Sequence, residues 1–167
     1  AGAAGGGPGG AQRLRDGATR TEVRLWSGEL TGPGGSASEV DALRWFERGR
    51  TDALGSPAEL RALMDVHGIL VVVALADKVR VAHAAGAAYG AGERAEVVST
   101  ATLRRNNTLI AFQQQAWCGG GLLAEGTVTC ACVSRRDMSP VACPEELAAR
   151  LAPAEAAVAA INSRGPR

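Results

Sequence analysis

The sequence predicts an α+β domain in which an antiparallel sheet of five strands wraps one long helix. Two observations lead to this fold class. Residues 39–54 have the apolar spacing of an amphipathic helix, and β-branched runs dominate the chain after residue 69. Short turns join three of those runs in succession, so they must be antiparallel neighbours. With 167 residues, the chain is long enough for one domain with a real core.

The first half of the chain is predicted to supply one strand and two helices. Residues 22–27 (EVRLWS) alternate roughly between apolar and polar, which indicates a short strand. The segment 36–39 (SASE) has the spacing of a capping box and predicts the start of the long helix. Inside that helix Gly49 costs about 1 kcal/mol relative to alanine, so we expect it to permit close packing on the sheet. A second capping box at 56–59 (SPAE) starts a helix that ends at Gly68.

The second half is predicted to form four long strands in a meander. The runs that predict them are 69–82, 93–105, 108–118 and 122–134. The pair Asn106-Asn107 indicates a two-residue hairpin turn, because asparagine tolerates positive φ. Glycines 119–121 join the next two strands.

The two ends of the chain are predicted to lie outside the domain proper, which we place at residues 22–152. Residues 1–21 are rich in Gly, Ala and Arg and lack the apolar core of a secretory signal, so we expect this segment to be mobile. Its composition fits either a tail left by cloning or the remnant of an organelle transit peptide. A cytoplasmic or plastid-stromal protein is therefore expected. Prolines start two short helices, at 144–151 and 153–162, the second belonging to a C-terminal segment of residues 153–167.

Composition argues against several classes of function. The net charge is +1, which does not favour a nucleic-acid partner. The longest apolar run, residues 69–76, is far too short to span a membrane. The four cysteines are Cys118, Cys130, Cys132 and Cys143, and we expect buried, reduced thiols. Their spacing does not match a structural zinc site, so neither a metal nor another cofactor is expected.

Four segments together resemble the 4-hydroxybenzoyl-CoA thioesterase-like hotdog proteins. They are LRWFERGRT at 43–51, RRNNTLIAF at 104–112, LLAEGTVT at 122–129 and PEEL at 144–147, in the order of that family. The resemblance implies a hotdog fold and hydrolysis of acyl thioesters of coenzyme A or acyl carrier protein. It also implies a homodimer or homotetramer with its site between subunits, at the N-terminus of the central helix. Free N–H groups there act as an oxyanion hole, while a carboxylate activates water or attacks the carbonyl directly.

The sequence departs from that family where the catalytic aspartate is expected, because Gly32 occupies the position. Three carboxylates are candidates to replace it: Glu29, Glu39 and Asp41. Glu39 could instead complete the helix cap, and Asp41 could be a solvated acid of the first turn. The N–H groups of Ser38 and Glu39 are the expected oxyanion donors. Glu47, further along the helix, is expected to pair with an arginine.

The hairpin residues Arg105, Asn107 and Thr108 correspond to the part of the family that holds the pantetheine or phosphate end of the substrate. An arginine there suits a coenzyme A phosphate, although an exposed turn explains it equally well. An Asp/His hydratase is a poorer fit, because His67 falls at a helix end and His83 in an Ala/Gly loop. The alternative to a hydrolase is a silent hotdog subunit that binds an acyl chain or a partner. The low aromatic content, 4%, favours aliphatic acyl groups.

Overall fold

The computed structural model describes residues 11–14, 17–82 and 89–152. Its strands are β1 (Gln12–Arg13), β2 (Thr19–Arg24), β3 (Ile69–Val81), β4 (Arg94–Arg104), β5 (Leu109–Cys118) and β6 (Gly121–Ser134). Its helices are α1 (Glu39–Leu54), α2 (Pro57–His67) and α3 (Glu145–Leu151), with short 3-10 turns at Ser27–Glu29 and Pro33–Gly35. None of the helices in this part of the chain is long and apolar enough to cross a membrane.

All strands form one antiparallel sheet in the order β1-β2-β4-β5-β6-β3. The predicted neighbours β4, β5 and β6 are confirmed, but the four-strand meander is wrong. The strand β3 pairs with β6 at one edge, and β4 instead continues the sheet towards β2. The reason is the length of the connection over residues 82–93, because only the short turns between β4, β5 and β6 force successive strands together.

The sheet has six strands rather than five because the two-residue β1 adds to its β2 edge. The strand predicted at 22–27 begins earlier, so the proposed domain boundary after residue 21 falls inside β2. The buried side chains Thr19, Thr21 and Val23 alternate along β2, and a pattern with two threonines is a weak apolar signal. The predicted helix 153–162 and residues 1–10 lie outside the described residues.

Helix α1 lies against one face of the sheet and forms the centre of the core. Its buried side chains include Ala42, Trp45 and Phe46. At Gly49 a Cβ atom would lie 2.6 Å from Val97 Cγ1 and 2.8 Å from Ser99 Oγ. This confirms the prediction that Gly49 allows the helix to pack closely on the sheet.

Candidate active site at the N-terminus of helix α1

The start of α1 is fixed by a capping box between Ser38 and Asp41. Asp41 Oδ2 accepts hydrogen bonds from Ser38 N–H at 2.8 Å and Ser38 Oγ at 2.8 Å, and from Thr31 N–H and Thr31 Oγ1, each at 2.9 Å. The box predicted between Ser36 and Glu39 is therefore wrong. Both pairs have the same three-residue spacing, and only the second has its acid at a position that Thr31 can also reach.

Asp41 holds the loop before α1 and does not face a ligand. Its side chain is 0% exposed, which contradicts the expectation of a solvated acid. Burial raises the pKa of Asp41, but the hydrogen bonds from Thr31 and Ser38 outweigh this effect and leave the pKa lowered. The second oxygen, Oδ1, lies 3.6 Å from Arg44 Nη1. The carboxylate is thus ionised and bound on the protein side, so it is a poor candidate for a catalytic base.

A pocket opens at the N-terminus of α1, and we call it the N-terminal pocket. It has a volume of about 430 Å³ and is lined by Gly32, Pro33, Ala37, Ser38, Glu39, Arg80 and Val81. The Ser38 N–H, predicted as an oxyanion donor, instead bonds Asp41. The N–H groups of Glu39 and Val40 find no acceptor among the residues that the structure describes. Of the two predicted donors, only the Glu39 N–H is thus without an acceptor there, and the Val40 N–H, which the sequence reasoning missed, is a second such group.

The other candidate carboxylates lie away from this helix end. Glu29 forms an ion pair with Arg48, and its side chain is only 12% exposed. Arg48 is nine residues beyond Glu39, about 13 Å along the helix axis at 1.5 Å per residue. Glu47, expected to pair with an arginine, is exposed and has no ion-pair partner within 4 Å in the described part of the chain.

A second pocket lies at the other end of α1, between this helix, α2 and β3; we call it the Arg50 pocket. Its volume is about 380 Å³, and its lining is mostly apolar: Leu54, Leu60, Leu63, Met64, Ile69, Leu70, Val71 and Val73, with Glu47, Arg50, Thr51, Arg61 and Cys130. Arg50 is only 7% exposed and donates to Gln114 Oε1 at 3.0 Å. Burial lowers the pKa of Arg50, opposed by the charges of Cys130 and Glu47.

Gln114 ties this arginine to the fold. Its Nε2 donates to the Phe46 carbonyl at 2.9 Å and to Ser99 Oγ at 2.8 Å. The network thus joins α1, β4 and β5 through one buried amide. Sequence reasoning missed it, because Arg50 and Gln114 stand 64 residues apart and nothing in the segment 43–51 indicates which strand residue Arg50 contacts.

The predicted substrate-binding residues are not next to the N-terminal pocket. Arg105, Asn107 and Thr108 lie in the four-residue turn between β4 and β5, where φ is 49° at Arg105, 54° at Asn106 and 63° at Asn107. The N-terminal pocket lies at the opposite end of the sheet, where the Ala37 N–H donates to Tyr89 Oη just before β4. The eleven residues of β4, about 35 Å of strand, therefore separate the two regions within one chain.

The remaining predicted features carry no site in the described residues. All four cysteines are free thiols, and no group of three His, Cys, Asp or Glu side chains in residues 11–14, 17–82 and 89–152 could hold a metal ion. His67 is exposed at the end of α2, and His83 lies outside the described residues.

Comparison with solved structures identifies the fold. The chain superposes on a 1,4-dihydroxy-2-naphthoyl-CoA thioesterase from Synechocystis with a TM-score of 0.67 and 14% identity, covering 80% of this chain and 95% of that one. A DHNA-CoA thioesterase from Staphylococcus aureus gives a TM-score of 0.62 and 21% identity over 90% and 96% of the two chains. A 12:0-ACP thioesterase from Umbellularia californica gives 0.60 and 18%, covering 84% of this chain and 55% of that chain.

These likenesses define the class of fold. The chain has the hotdog fold, as the sequence resemblance implied. No family model and no curated protein matches the sequence.

Proposed function

We propose that the chain hydrolyses acyl thioesters, with the thioester carbonyl bound at the N-terminus of α1. The observation that carries this proposal is the pair of N–H groups of Glu39 and Val40, which have no acceptor among the described residues. Glu39 lines the N-terminal pocket, and Val40 follows it in the first turn of α1. A helix N-terminus with free donors stabilises negative charge, and a thioester carbonyl oxygen gains such charge during attack. The thioesterases with similar folds are consistent with this chemistry.

The reaction needs only a carboxylate and water. The carboxylate removes a proton from water as the water oxygen bonds to the carbonyl carbon, and the carbonyl electrons move to the oxygen held by the helix donors. When the carbonyl reforms, the carbon–sulfur bond breaks. The thiol leaves with the proton that the carboxylate had taken, and the free acid is the second product. No cofactor is required.

We further propose that the active form is a homodimer joined through β3. This strand is an edge of the sheet, and its residues 73–78 are exposed, including Val73 at 56% and Leu75 at 58%. An exposed apolar edge strand is a template for pairing with another strand. A second copy of the chain fits it, with a homotetramer as the larger alternative.

Such pairing would complete the site. The Arg50 pocket lies at the start of β3, and the N-terminal pocket lies at its end. A twofold axis relating antiparallel β3 strands places the start of one strand opposite the end of the other. The N-terminal pocket of one subunit would then face the Arg50 pocket of its partner, and one substrate would span both.

Two carboxylates then compete for the role of base. Glu39 lines the N-terminal pocket of its own subunit, whereas the partner subunit's Glu47 would approach from the Arg50 pocket. Both are exposed and neither forms an ion pair within the described ranges. Glu29 and Asp41 are weaker candidates, because Arg48 holds the first and Thr31 and Ser38 hold the second.

Free-thiol release from a panel of acyl-CoA and acyl carrier protein thioesters tests the proposal. We expect turnover by the wild type and a loss of roughly 100-fold or more in kcat for Glu39→Gln or Glu47→Gln, the range typical of a missing general base. Glu29→Gln is the matched control, since it removes a carboxylate that is bound to Arg48. If Glu29→Gln loses the activity while Glu39→Gln and Glu47→Gln keep it, the active site does not lie at the N-terminal pocket. Sedimentation measures the oligomer, and a monomer that turns over substrate contradicts the composite site.

A silent subunit that binds an acyl chain is the second candidate, favoured by the environment of Gly32. A Cβ atom there would lie 2.6 Å from Ser36 Oγ and 2.7 Å from the Ala37 carbonyl oxygen, so the aspartate typical of the family does not fit. Absence of thiol release across the panel, together with saturable binding of an acyl-CoA, would support this alternative.

Arg105, with Asn107 and Thr108, is proposed to contact the phosphates of coenzyme A or the phosphopantetheine of acyl carrier protein. Arg105 is exposed and has no ion-pair partner within the described ranges. Because β4 separates it from the N-terminal pocket of its own chain, this contact would be made to a substrate bound across two subunits.

A further inference from the structure

Arg50 is a buried positive charge that no carboxylate neutralises at close range. It is 7% exposed, and it forms no ion pair within 4 Å among the described residues. A buried charge without a partner is costly, and such groups in proteins are usually paired. Glu47, the carboxylate whose charge acts on Arg50, is exposed to solvent.

Among the described residues, side-chain oxygens satisfy only part of the hydrogen-bonding capacity of Arg50. A guanidinium has five N–H donors, and in this part of the chain one side-chain oxygen accepts from it, Gln114 Oε1 at 3.0 Å. Cys130 also interacts with the guanidinium, but a thiol sulfur is a weak acceptor. Gln114 in turn uses both of its amide hydrogens elsewhere, on Phe46 and Ser99, which fixes its oxygen towards Arg50. A carboxylate, which is planar and has two acceptor oxygens, would accept two of the remaining guanidinium hydrogen bonds at once.

The surroundings of Arg50 restrict what kind of anion can reach it. The pocket walls are mostly apolar and come from α1, α2 and β3, and the volume of about 380 Å³ equals roughly a dozen water molecules at about 30 Å³ each. Val73, at the exposed edge of β3, also lines the pocket. The pocket therefore suits a short hydrocarbon chain whose charged end lies at Arg50 and whose other end points towards the β3 edge.

We propose that the acyl group of the substrate carries a carboxylate at the end remote from the thioester, and that Arg50 binds it. The substrate class is thus the monothioesters of short dicarboxylic acids. This inference rests on the proposed thioesterase function and on the dimer, in which the thioester would lie at the N-terminal pocket of the partner subunit. Arg50 acts here as a specificity residue and takes no part in bond cleavage.

The first test compares thioesters of equal chain length with and without the second carboxylate. The probes are succinyl-, adipoyl- and suberoyl-CoA against butanoyl-, hexanoyl- and octanoyl-CoA. We expect kcat/KM to favour the dicarboxylic member of at least one pair by about 10- to 100-fold, the range of a charge-assisted hydrogen bond. Arg50→Met should remove this preference by raising KM for the dicarboxylic thioesters, and Arg50→Lys should keep part of it. Arg136→Met, at an exposed arginine in the turn after β6, is the control and should change nothing.

A preference for the monocarboxylic probes in every pair, or a dicarboxylic preference that survives Arg50→Met, overturns the inference. A binding measurement tests the role of Arg50 separately from the proposed hydrolase activity. Hexanoate and hexanamide share a chain and differ in charge, so titration of the wild type with each tests the pocket without any turnover. Tighter binding of hexanoate that Arg50→Met abolishes supports the anion pocket even where no thioester is hydrolysed. Equal binding of both probes contradicts it, whatever the thiol-release assay gives.

Discussion

Helix α1 carries two buried charges nine residues apart, Asp41 and Arg50, and they are accommodated in opposite ways. Every hydrogen bond to Asp41 comes from within ten residues, from Thr31 and Ser38. Arg50 instead depends on Gln114, which lies 64 residues away on strand β5. Asp41 Oδ2 accepts four hydrogen bonds from the protein, while Oδ1 has no hydrogen-bond partner among the described residues. Arg50 lines a pocket, where we propose that its remaining donors bind a ligand. The first charge fixes the chain entering the helix, and the second depends on the complete sheet.

Breaking the long-range network should give the largest effect. Gln114→Leu keeps most of the side chain's bulk but removes its hydrogen bonds to Arg50, to the Phe46 carbonyl and to the Ser99 hydroxyl. We expect a loss of about 4 kcal/mol in the free energy of unfolding, measured by urea denaturation, because each lost buried hydrogen bond typically costs about 1–3 kcal/mol and the one to Arg50 involves a charge.

The double variant Arg50→Met/Gln114→Leu is the control for that interpretation. With the guanidinium also removed, no buried charge is left without its hydrogen-bond partner, and the loss should be clearly smaller than for Gln114→Leu alone. If the two changes simply add, Gln114 acts by packing rather than by holding the guanidinium.

The local network around Asp41 should give the second largest effect. Asp41→Ala leaves the N–H groups of Thr31 and Ser38 without their acceptor, and we expect a loss of about 3 kcal/mol in unfolding free energy. The control is Glu59→Ala, which removes the acid at the same position of the capping box in α2, at an exposed site where it also pairs with Arg150. That change should cost about 1 kcal/mol. Equal losses would mean that burial adds nothing to the Asp41 cap.

The pH dependence of stability sharpens the same comparison. The pKa of Asp41 is lowered in the folded chain, so its carboxylate stabilises the fold fully above the unfolded-state pKa of about 3.9. This contribution is lost as the pH falls through the lower, folded-state pKa. The difference in stability between wild type and Asp41→Asn should therefore be constant above about pH 5 and shrink below about pH 4. A difference that grows on acidification contradicts the assignment.

The contrast between Asp41 and Arg50 also explains how far sequence reasoning reached. The two ends of α2 and the role of Gly49 follow from local chemistry, and the structure confirms them. The asparagine pair does mark a turn with positive φ, but the turn has four residues rather than two. The predicted start of α1 uses the wrong serine–acid pair, because Thr31, the other partner of Asp41, belongs to the preceding loop. The neighbours of β3 could not be inferred, because a long connection leaves strand order free.

The Gly49 contact tests how tightly the middle of α1 depends on the sheet. Gly49→Ala gains about 1 kcal/mol in helix propensity but forces a Cβ against Val97 and Ser99, and such overpacking typically costs about 1–3 kcal/mol. We expect a net loss of about 1 kcal/mol, seen as a lower midpoint of thermal unfolding. Adding Val97→Ala should remove the contact with Val97, while the contact with Ser99 remains. In a double-mutant cycle, the double variant should therefore lose less stability than the sum of the two single variants. Gly28→Ala is the control, since a Cβ there meets nothing within 4 Å.

The turn between β4 and β5 should give the smallest change in stability and the clearest separation of stability from binding. Arg105 is held at a φ of 49°, where a side chain costs about 1–2 kcal/mol that glycine avoids. Because glycine also gains freedom in the unfolded chain, Arg105→Gly should stabilise the fold by only about 0.5 kcal/mol. If Arg105 contacts a coenzyme A phosphate, the same variant should raise KM for an acyl-CoA several-fold and leave KM for the phosphate-free N-acetylcysteamine thioester unchanged. An arginine retained at a strained position for binding would show both effects together. A gain in stability with no change in either KM would instead identify Arg105 as a turn residue without a ligand.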